Sequence, residues 1–564
     1  MSRLGIRLPL LLVLALGLLG SGATPVGAHD ALHAGDQAGM GSWGHQNAFM
    51  ESLTPAKRLT TSARVDCENG MAGVFPCKNV DLLAHLQTNS AAGITGSDIE
   101  GWTDQSTGKE WAIQGHSDAT TFIDLSNPEV PLVFGTLLPA VPGVLWRELE
   151  VFDNHVYIVQ DLTGAGLQIF DLTKLRSAVP GVVYGPLDYT RDTSFGRAHT
   201  ITINQDTGFA YVQGSTTCNA GPRMFDLNVN PKAPVFVGCV GMDGYTHDSQ
   251  CVVYHGPDTT YTGREICALY NEDTLTMVDV TDKAAPVMLS RNCYSTAPAT
   301  GKYTHQGWFT GDHRYILMDD ELDEDGSAAV FTTTYLWDVA DLDDPVTDCI
   351  PANSNDTTGP RFMPPYRHAT KCTDHNQFIV GRFSYQSNYA CGLRVMDTSR
   401  VSEGKLSEVA YFDTSPAHDF IAGASDGGDL DGDWANYPYY KSGIVVTSNI
   451  SKGLFVLKPK MSPTAVDVLS FRARAAGRSV TLTWRTGAEL DTVGFDVRRS
   501  GAGRSVKVNR TLVPAKGLAR AGGAAYRLVD RNLRPGAAYG YRLQAVTKDG
   551  TRVWQASTKV RVRR

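Results

Sequence analysis

The stretch "TLTMVDVTDKAAPVMLSRNC", Thr274 to Cys293, is an apolar strand, an aspartate, a turn, a proline and a second apolar strand. The same pattern recurs in "ATTFIDLSNPEVPLVFGTL" from Ala119, "GLQIFDLTKLRSAVP" from Gly166, "PRMFDLNVNPKAPVFVGCV" from Pro222, "TYLWDVADLDDPVTDCI" from Thr334 and "LRVMDTSRVSEGKLSEVAYF" from Leu393, and it ends at "GLFVLKP" from Gly453. Ahead of each copy lies another short strand: "EWAIQG", "VYIVQD", "FAYVQG", "ICALYN", "YILMDD", "FIVGRF" and "GIVVTS". Seven units of four short strands, at a period near 50 residues, predict an all-β chain built as a seven-bladed β-propeller rather than a sandwich. The recurring Asp124, Asp171, Asp226, Asp279, Asp338 and Asp397 read as turn residues, since an Asp ending a strand accepts backbone N–H bonds from the turn that follows.

The last unit stops short of a fourth strand, whereas "NVDLLAHLQT", residues 79–88, is a strand without a unit. Pairing the two would close a ring over residues 79–460 and remove its open edges. After "LKPKMSPTA" the period changes. Residues 464–564 read as a small β-sandwich in which Trp484 and Tyr541 stand where fibronectin type III domains, which this part resembles, carry a core tryptophan and a corner tyrosine.

Within 564 residues the charge is unevenly placed. From Met461 onward there are 21 Lys and Arg against 6 Asp and Glu, leaving 30 against 53 elsewhere, so an acidic body carries a basic tail. That tail suits an anionic surface or is simply a solvated basic face. No nucleic-acid-binding motif is present, and an unknown extracellular ligand or protein is the expected partner. Arg3 and Arg7 precede the apolar run Leu8 to Leu19, and Val26-Gly27-Ala28 follows, which predicts a signal peptide over 1–28 and an N-terminal extension over 29–78. No other run approaches the roughly 20 apolar residues of a membrane helix. The expected location is extracellular, secreted and open to association with the cell surface. Ten cysteines in an exported chain predict disulfides. Strand register favours Cys67 with Cys77, Cys218 with Cys239, Cys251 with Cys267 and Cys372 with Cys391, leaving Cys293 and Cys349.

Aligning the units on their second strands makes "SDIEGW", "WRELEVF", "RAHTITIN", "YTHDSQCVVY", "YTHQGWF", "YRHATKC" and "PAHDFIAG" the innermost strands. Asp98, Glu148, His199, His247, His305, His368 and His418 then share one position around a central axis. Such a ring suits a transition metal, because neutral imidazole and carboxylate are ligands for Zn, Fe, Mn, Ni or Cu. Alternatively, each histidine bonds the backbone of the neighbouring blade. Asp429, Asp431 and Asp433 alternate as in a Ca²⁺ loop, although Trp434 stands where the EF-hand pattern has glycine. The acidic run with Asp319, Asp320, Glu321, Asp323, Glu324 and Asp325 is either a solvated loop or a cation site, and folded over the ring it would add ligands. "GASDG" around Ser425 lacks the strand and helix that a nucleophile elbow requires. No organic cofactor is expected.

The segments "CENGMAGVFPCKNVDLLAHL", "GYTHDSQCVVYHGPDTTYTGREIC", "NEDTLTMVDVTDKAAPVMLSR", "YTHQGWFTGDHRYILMDDELDE" and "WANYPYYKSGIVVTSNISKGLFVL" closely resemble the choice-of-anchor B family of LVIVD-repeat propellers. The resemblance spans Cys67 to Leu457 and implies an exported propeller whose relatives carry varied C-terminal anchors. This chain ends in "KVRVRR", without a sorting motif. Two functional classes follow: an extracellular binding or scaffold protein with divalent-cation sites, or a metal-dependent hydrolase or lactonase-like enzyme using the ring.

Overall fold

A computed structural model describes residues 60–562 apart from 88–93, 144, 295–302, 325–330, 344–360, 417–430, 461–467, 487–488, 490–491, 502–503, 517–523 and 548–551. The signal peptide, most of the N-terminal extension, Asp325, Cys349, His418, Ser425 and Asp429 therefore lie outside the described residues. The described residues form small, largely antiparallel sheets and contain no α-helix. Seven sheets precede residue 460. Their first strands are β1 (Gly96–Thr103), β2 (Arg147–Phe152), β3 (Ile201–Asn204), β4 (Asp248–Val253), β5 (Thr304–Phe309), β6 (Asn376–Val380) and β7 (Asp433–Tyr437).

Each of these strands starts a run of consecutive antiparallel neighbours. In the fourth sheet, for example, β4 is followed by Glu265–Tyr270, Leu275–Asp279 and Val287–Asn292. The hydrophobic alternation explains why. Ile266, Ala268 and Met277 face one neighbouring layer while Cys267, Leu269 and Val278 face the other, and all six are fully buried. The quoted aspartates do what a strand-ending Asp does best. Oδ1 of Asp124, Asp171, Asp226, Asp279, Asp338 and Asp397 each accepts the backbone N–H two residues on, at 2.8–3.2 Å. A register shift recurs on the third strand of five sheets, next to Phe122, Met224, Met277, Val395 and Val456, and marks these strands as equivalent.

Val80–Gln87 pairs antiparallel with Gly453–Pro459, so the seventh sheet combines strands from both ends of this region. Met71–Ala72 and Phe75–Lys78 extend the sixth sheet, which places the end of the expected N-terminal extension inside the sheet system. The first strands touch in cyclic order, β1 to β2 and onward to β7, which packs back on β1. Polar bonds bridge several of these seams, including Leu149 N–H to Asp98 (2.8 Å), Phe309 N–H to Gln250 (2.7 Å) and Gln377 N–H to Gln306 (3.0 Å). At the β7–β1 seam the Tyr437 ring occupies the space of a Cβ at Gly101, so only glycine allows this approach.

The four disulfides favoured by register are present: Cys67–Cys77, Cys218–Cys239, Cys251–Cys267 and Cys372–Cys391. Cys293 is also disulfide-bonded. Beyond residue 467, two further sheets enclose Trp484, Phe495, Tyr526 and Tyr541. Trp484 stacks on Tyr526 with centroids 5.0 Å apart, and the buried Tyr541 hydroxyl donates to Asp530 (2.9 Å).

Candidate metal centre

The starts of β3, β4, β5 and β6 carry a continuous file of imidazoles. Ring centroids are 4.3 Å apart for His199 and His247, 4.2 Å for His247 and His305, and 4.4 Å for His305 and His375. His375 holds the place expected for His368. The expectation split the sixth unit one strand too early. "FIVGRF" is not one strand, because Gly381, at φ 63°, and Arg382 form a two-residue hairpin between Val380 and Phe383. His368 instead follows the outermost strand of the fifth sheet, Tyr366–Arg367, and its Nε2 lies 2.8 Å from the Thr334 hydroxyl. In the seventh sheet the first strand is Asp433–Tyr437 rather than the segment around His418, so Trp434 is the residue that meets His375, at 4.7 Å.

Of the two histidine roles considered from sequence, His305 and His375 show the bond to the backbone of the neighbouring sheet. His305 Nδ1 lies 2.8 Å from the His375 carbonyl, and His375 Nδ1 lies 2.6 Å from the Trp434 carbonyl. A carbonyl only accepts, so each Nδ1 carries the proton and binds the next sheet. Burial, reinforced by neighbouring imidazoles, pushes both rings down to about 3, so they are neutral and Nε2 presents a lone pair. Both lone pairs face one carboxylate: Glu321 lies 3.5 Å from His305 Nε2 and 3.7 Å from His375 Nε2. Glu321 is held by the Tyr389 hydroxyl (2.6 Å), and its ligand oxygen groups with His247 and His305 within 4.8 Å. An imidazole anchored through Nδ1–H to a carbonyl, with Nε2 directed at a shared point, is the usual geometry of a metal-bound histidine. At the end of the file, His199 Nδ1 lies 3.2 Å from Asp161, which also pairs with Arg197.

A second set of first-strand side chains is acidic, four of them on β1 and β2 and one, Asp248, beside His247 on β4. Asp98 and Glu100 on β1, Glu148 and Glu150 on β2 and Asp248 on β4 influence one another electrostatically. Desolvation pushes Asp98 and Asp248 up to about 7, and desolvation with like charge nearby pushes Glu100, Glu148 and Glu150 well above the carboxylate range. Sequence reasoning named Asp98 and Glu148 but missed Glu100 and Glu150. The signal was available, since residues two apart in a strand share a face. His375 and Tyr389 were missed because the hairpin was misread.

Among its described residues the acidic run is largely buried. Asp319 and Asp320 end a strand, and Asp319, Asp320, Asp323 and Glu324 are buried. In the Ca²⁺ candidate, Asp433 sits within β7, where Oδ1 accepts from Thr414 (2.9 Å) and Thr447 (2.6 Å); it braces strands instead of facing a loop.

No protein-family model matches the sequence, and no curated protein matches it. Among solved structures, the chain is similar to the BT4673 extracellular domain from B. thetaiotaomicron (9% identity, 83% of this chain, TM-score 0.37). It spans only 56% of that domain. It is also similar to a protein from Lactobacillus plantarum (14% identity, 77% of this chain and 98% of that one, TM-score 0.35). A third is the computationally designed Ika8 protein (9% identity, 64% and 82%, TM-score 0.34).

Proposed function

We propose that the seven sheets are blades of a closed propeller of the choice-of-anchor B type, exported, and acting as an extracellular binding scaffold. Its axial site holds a divalent transition metal between His247, His305, His375 and Glu321. One observation carries the metal reading: two neutral imidazoles aim lone pairs at a carboxylate, three acceptors facing one another, an arrangement that a cation resolves. Mixed nitrogen and oxygen donors suit Zn²⁺, Mn²⁺, Fe²⁺, Ni²⁺ or Cu²⁺. The cyclic packing of first strands and the shared seventh sheet support the closed ring. Four disulfides and the leader-like N-terminus support export. Among the described residues no helix is long and apolar enough to cross a membrane. The basic tail supports electrostatic association with an anionic surface.

The enzymatic alternative is favoured by Asp98 and Asp248, which burial pushes up to about 7, where a carboxyl can serve as general acid and base. The test is elemental analysis of the full chain purified without added metal, repeated on His247→Ala/His305→Ala. The scaffold reading expects about one transition metal per chain in the wild type, little in the variant, and no turnover of ester or lactone substrates. Equal metal content in the two proteins would overturn the site. Turnover that follows metal loading would replace the scaffold with a hydrolase.

A further inference from the structure

A second cluster lies beside the imidazole file, and its donors are oxygens alone. Asp323, Glu324 and Asp374 place ligand oxygens within 4.8 Å of one another, and the Asp319 carboxyl contacts that of Asp374. All four residues are more than nine-tenths buried, with exposures of 1% for Asp319, Asp323 and Asp374 and 7% for Glu324. Each of three is anchored by one oxygen only. Asp319 Oδ1 accepts from Gln377 (2.6 Å), Asp323 Oδ2 from the Tyr335 hydroxyl (2.5 Å) and Glu324 Oε1 from the Thr333 N–H (2.9 Å). The other oxygens, Asp319 Oδ2, Asp323 Oδ1, Glu324 Oε2 and both of Asp374, accept from no amide, hydroxyl or cationic donor among the described residues and face only one another, Asp319 against Asp374 and Asp323 against Glu324. Adjacent Asp320 differs: its oxygens accept from Tyr294 and from the Tyr303 and Leu322 N–H groups, so it braces the segment.

Five buried carboxyl oxygens without donors are costly, and a carboxylate group of this density is stable only with protons or a cation among its members. We propose that Asp319, Asp323, Glu324 and Asp374 bind a hard divalent cation, Ca²⁺ in preference to a transition metal, and that this ion fastens the segment bearing Glu321. The donor set decides the preference: oxygen ligands in excess of four suit Ca²⁺, and the absence of nitrogen or sulfur donors from the set disfavours softer ions. The site does not depend on the transition-metal reading of the imidazoles, although Asp374 adjoins His375 in sequence and Glu321 lies between Asp320 and Asp323.

The test strips the full chain with EDTA and titrates it separately with CaCl₂ and ZnCl₂ by calorimetry, following thermal unfolding in parallel. The wild type is expected to bind one Ca²⁺ per chain and to unfold at a higher temperature when loaded. Asp374→Asn and Glu324→Gln should each weaken Ca²⁺ by about tenfold or more while keeping Zn²⁺ binding, because the ligand charge falls by one. His305→Ala/His375→Ala should keep Ca²⁺. Glu324→Gln decides if Asp374→Asn does not fold, as judged by circular dichroism. A wild type that takes no Ca²⁺ at millimolar concentration, or two acidic-site variants that bind it unchanged, would overturn the proposal. Loss of Ca²⁺ in the histidine variant with both acidic-site variants unaffected would do the same. Failure of Zn²⁺ alone to bind the wild type would remove the imidazole site and leave this one standing.

Discussion

The imidazole side, at the starts of β3 to β6, and the carboxyl side, along β1 and β2, both belong to the first strands, yet burial acts on them in opposite directions. Desolvation removes the proton from His305 and His375 and keeps it on Asp98, Glu100, Glu148 and Glu150. Both sides are thereby driven toward neutrality. One becomes a set of lone pairs, suited to a metal; the other becomes a store of protons. The same strand of the repeat yields two chemistries because the repeat fixes the strand and leaves the identity of its side chains free.

The comparison breaks most readily through metal affinity. Replacing both imidazoles, His305→Ala/His375→Ala, is expected to weaken Zn²⁺ by a factor on the order of 100 or more, whereas Glu148→Gln should change it by less than about tenfold. Competition with a chromogenic chelator measures both, and equal losses would erase the distinction between the sides. Glu321→Gln should cost roughly 10- to 100-fold by the same assay, since it removes the carboxylate that the two lone pairs share.

The carboxyl side has its own signature in the metal-free chain. Asp98 titrates at about 7 in the folded protein against 3.8 ordinarily. Between those values the folded chain keeps a proton that the unfolded chain has released, so this group makes stability fall as pH rises from 3.8 to about 7, with no further change above. Asp98→Asn should flatten that slope and raise stability at pH 8 by about 1 kcal/mol or more, read from urea unfolding at several pH values. Its amide oxygen still accepts the Leu149 N–H, so the seam survives. An unchanged slope would mean that Asp98 is solvated. The smallest effect is expected at His368, bonded to Thr334 away from the file: His368→Gln should leave Zn²⁺ affinity within about twofold, as a residue outside the metal's surroundings does.

Much of the sheet system was legible beforehand. Strand-ending aspartates, second strands such as "ICALYN", and the pairing of Val80–Gln87 with Gly453–Pro459 followed from pattern, because period-two hydrophobicity and turn chemistry are local. The sixth unit shows where locality fails. A two-residue turn at Gly381-Arg382 inside an apolar run reads as continuous strand, and that one misreading exchanged His375 for His368.

Sequence by itself determined the repeating pattern and the residue types along most of the first strands, and it favoured four disulfide pairings that the structure then showed. Only the tertiary structure decided which nitrogen of His305 and of His375 faces Glu321, that Tyr389 holds Glu321, and that Asp374 joins Asp323 and Glu324 across about fifty residues of chain. The reason is one of range. Strand and turn preferences act over a few residues, whereas desolvation and the convergence of side chains depend on which sheets become neighbours.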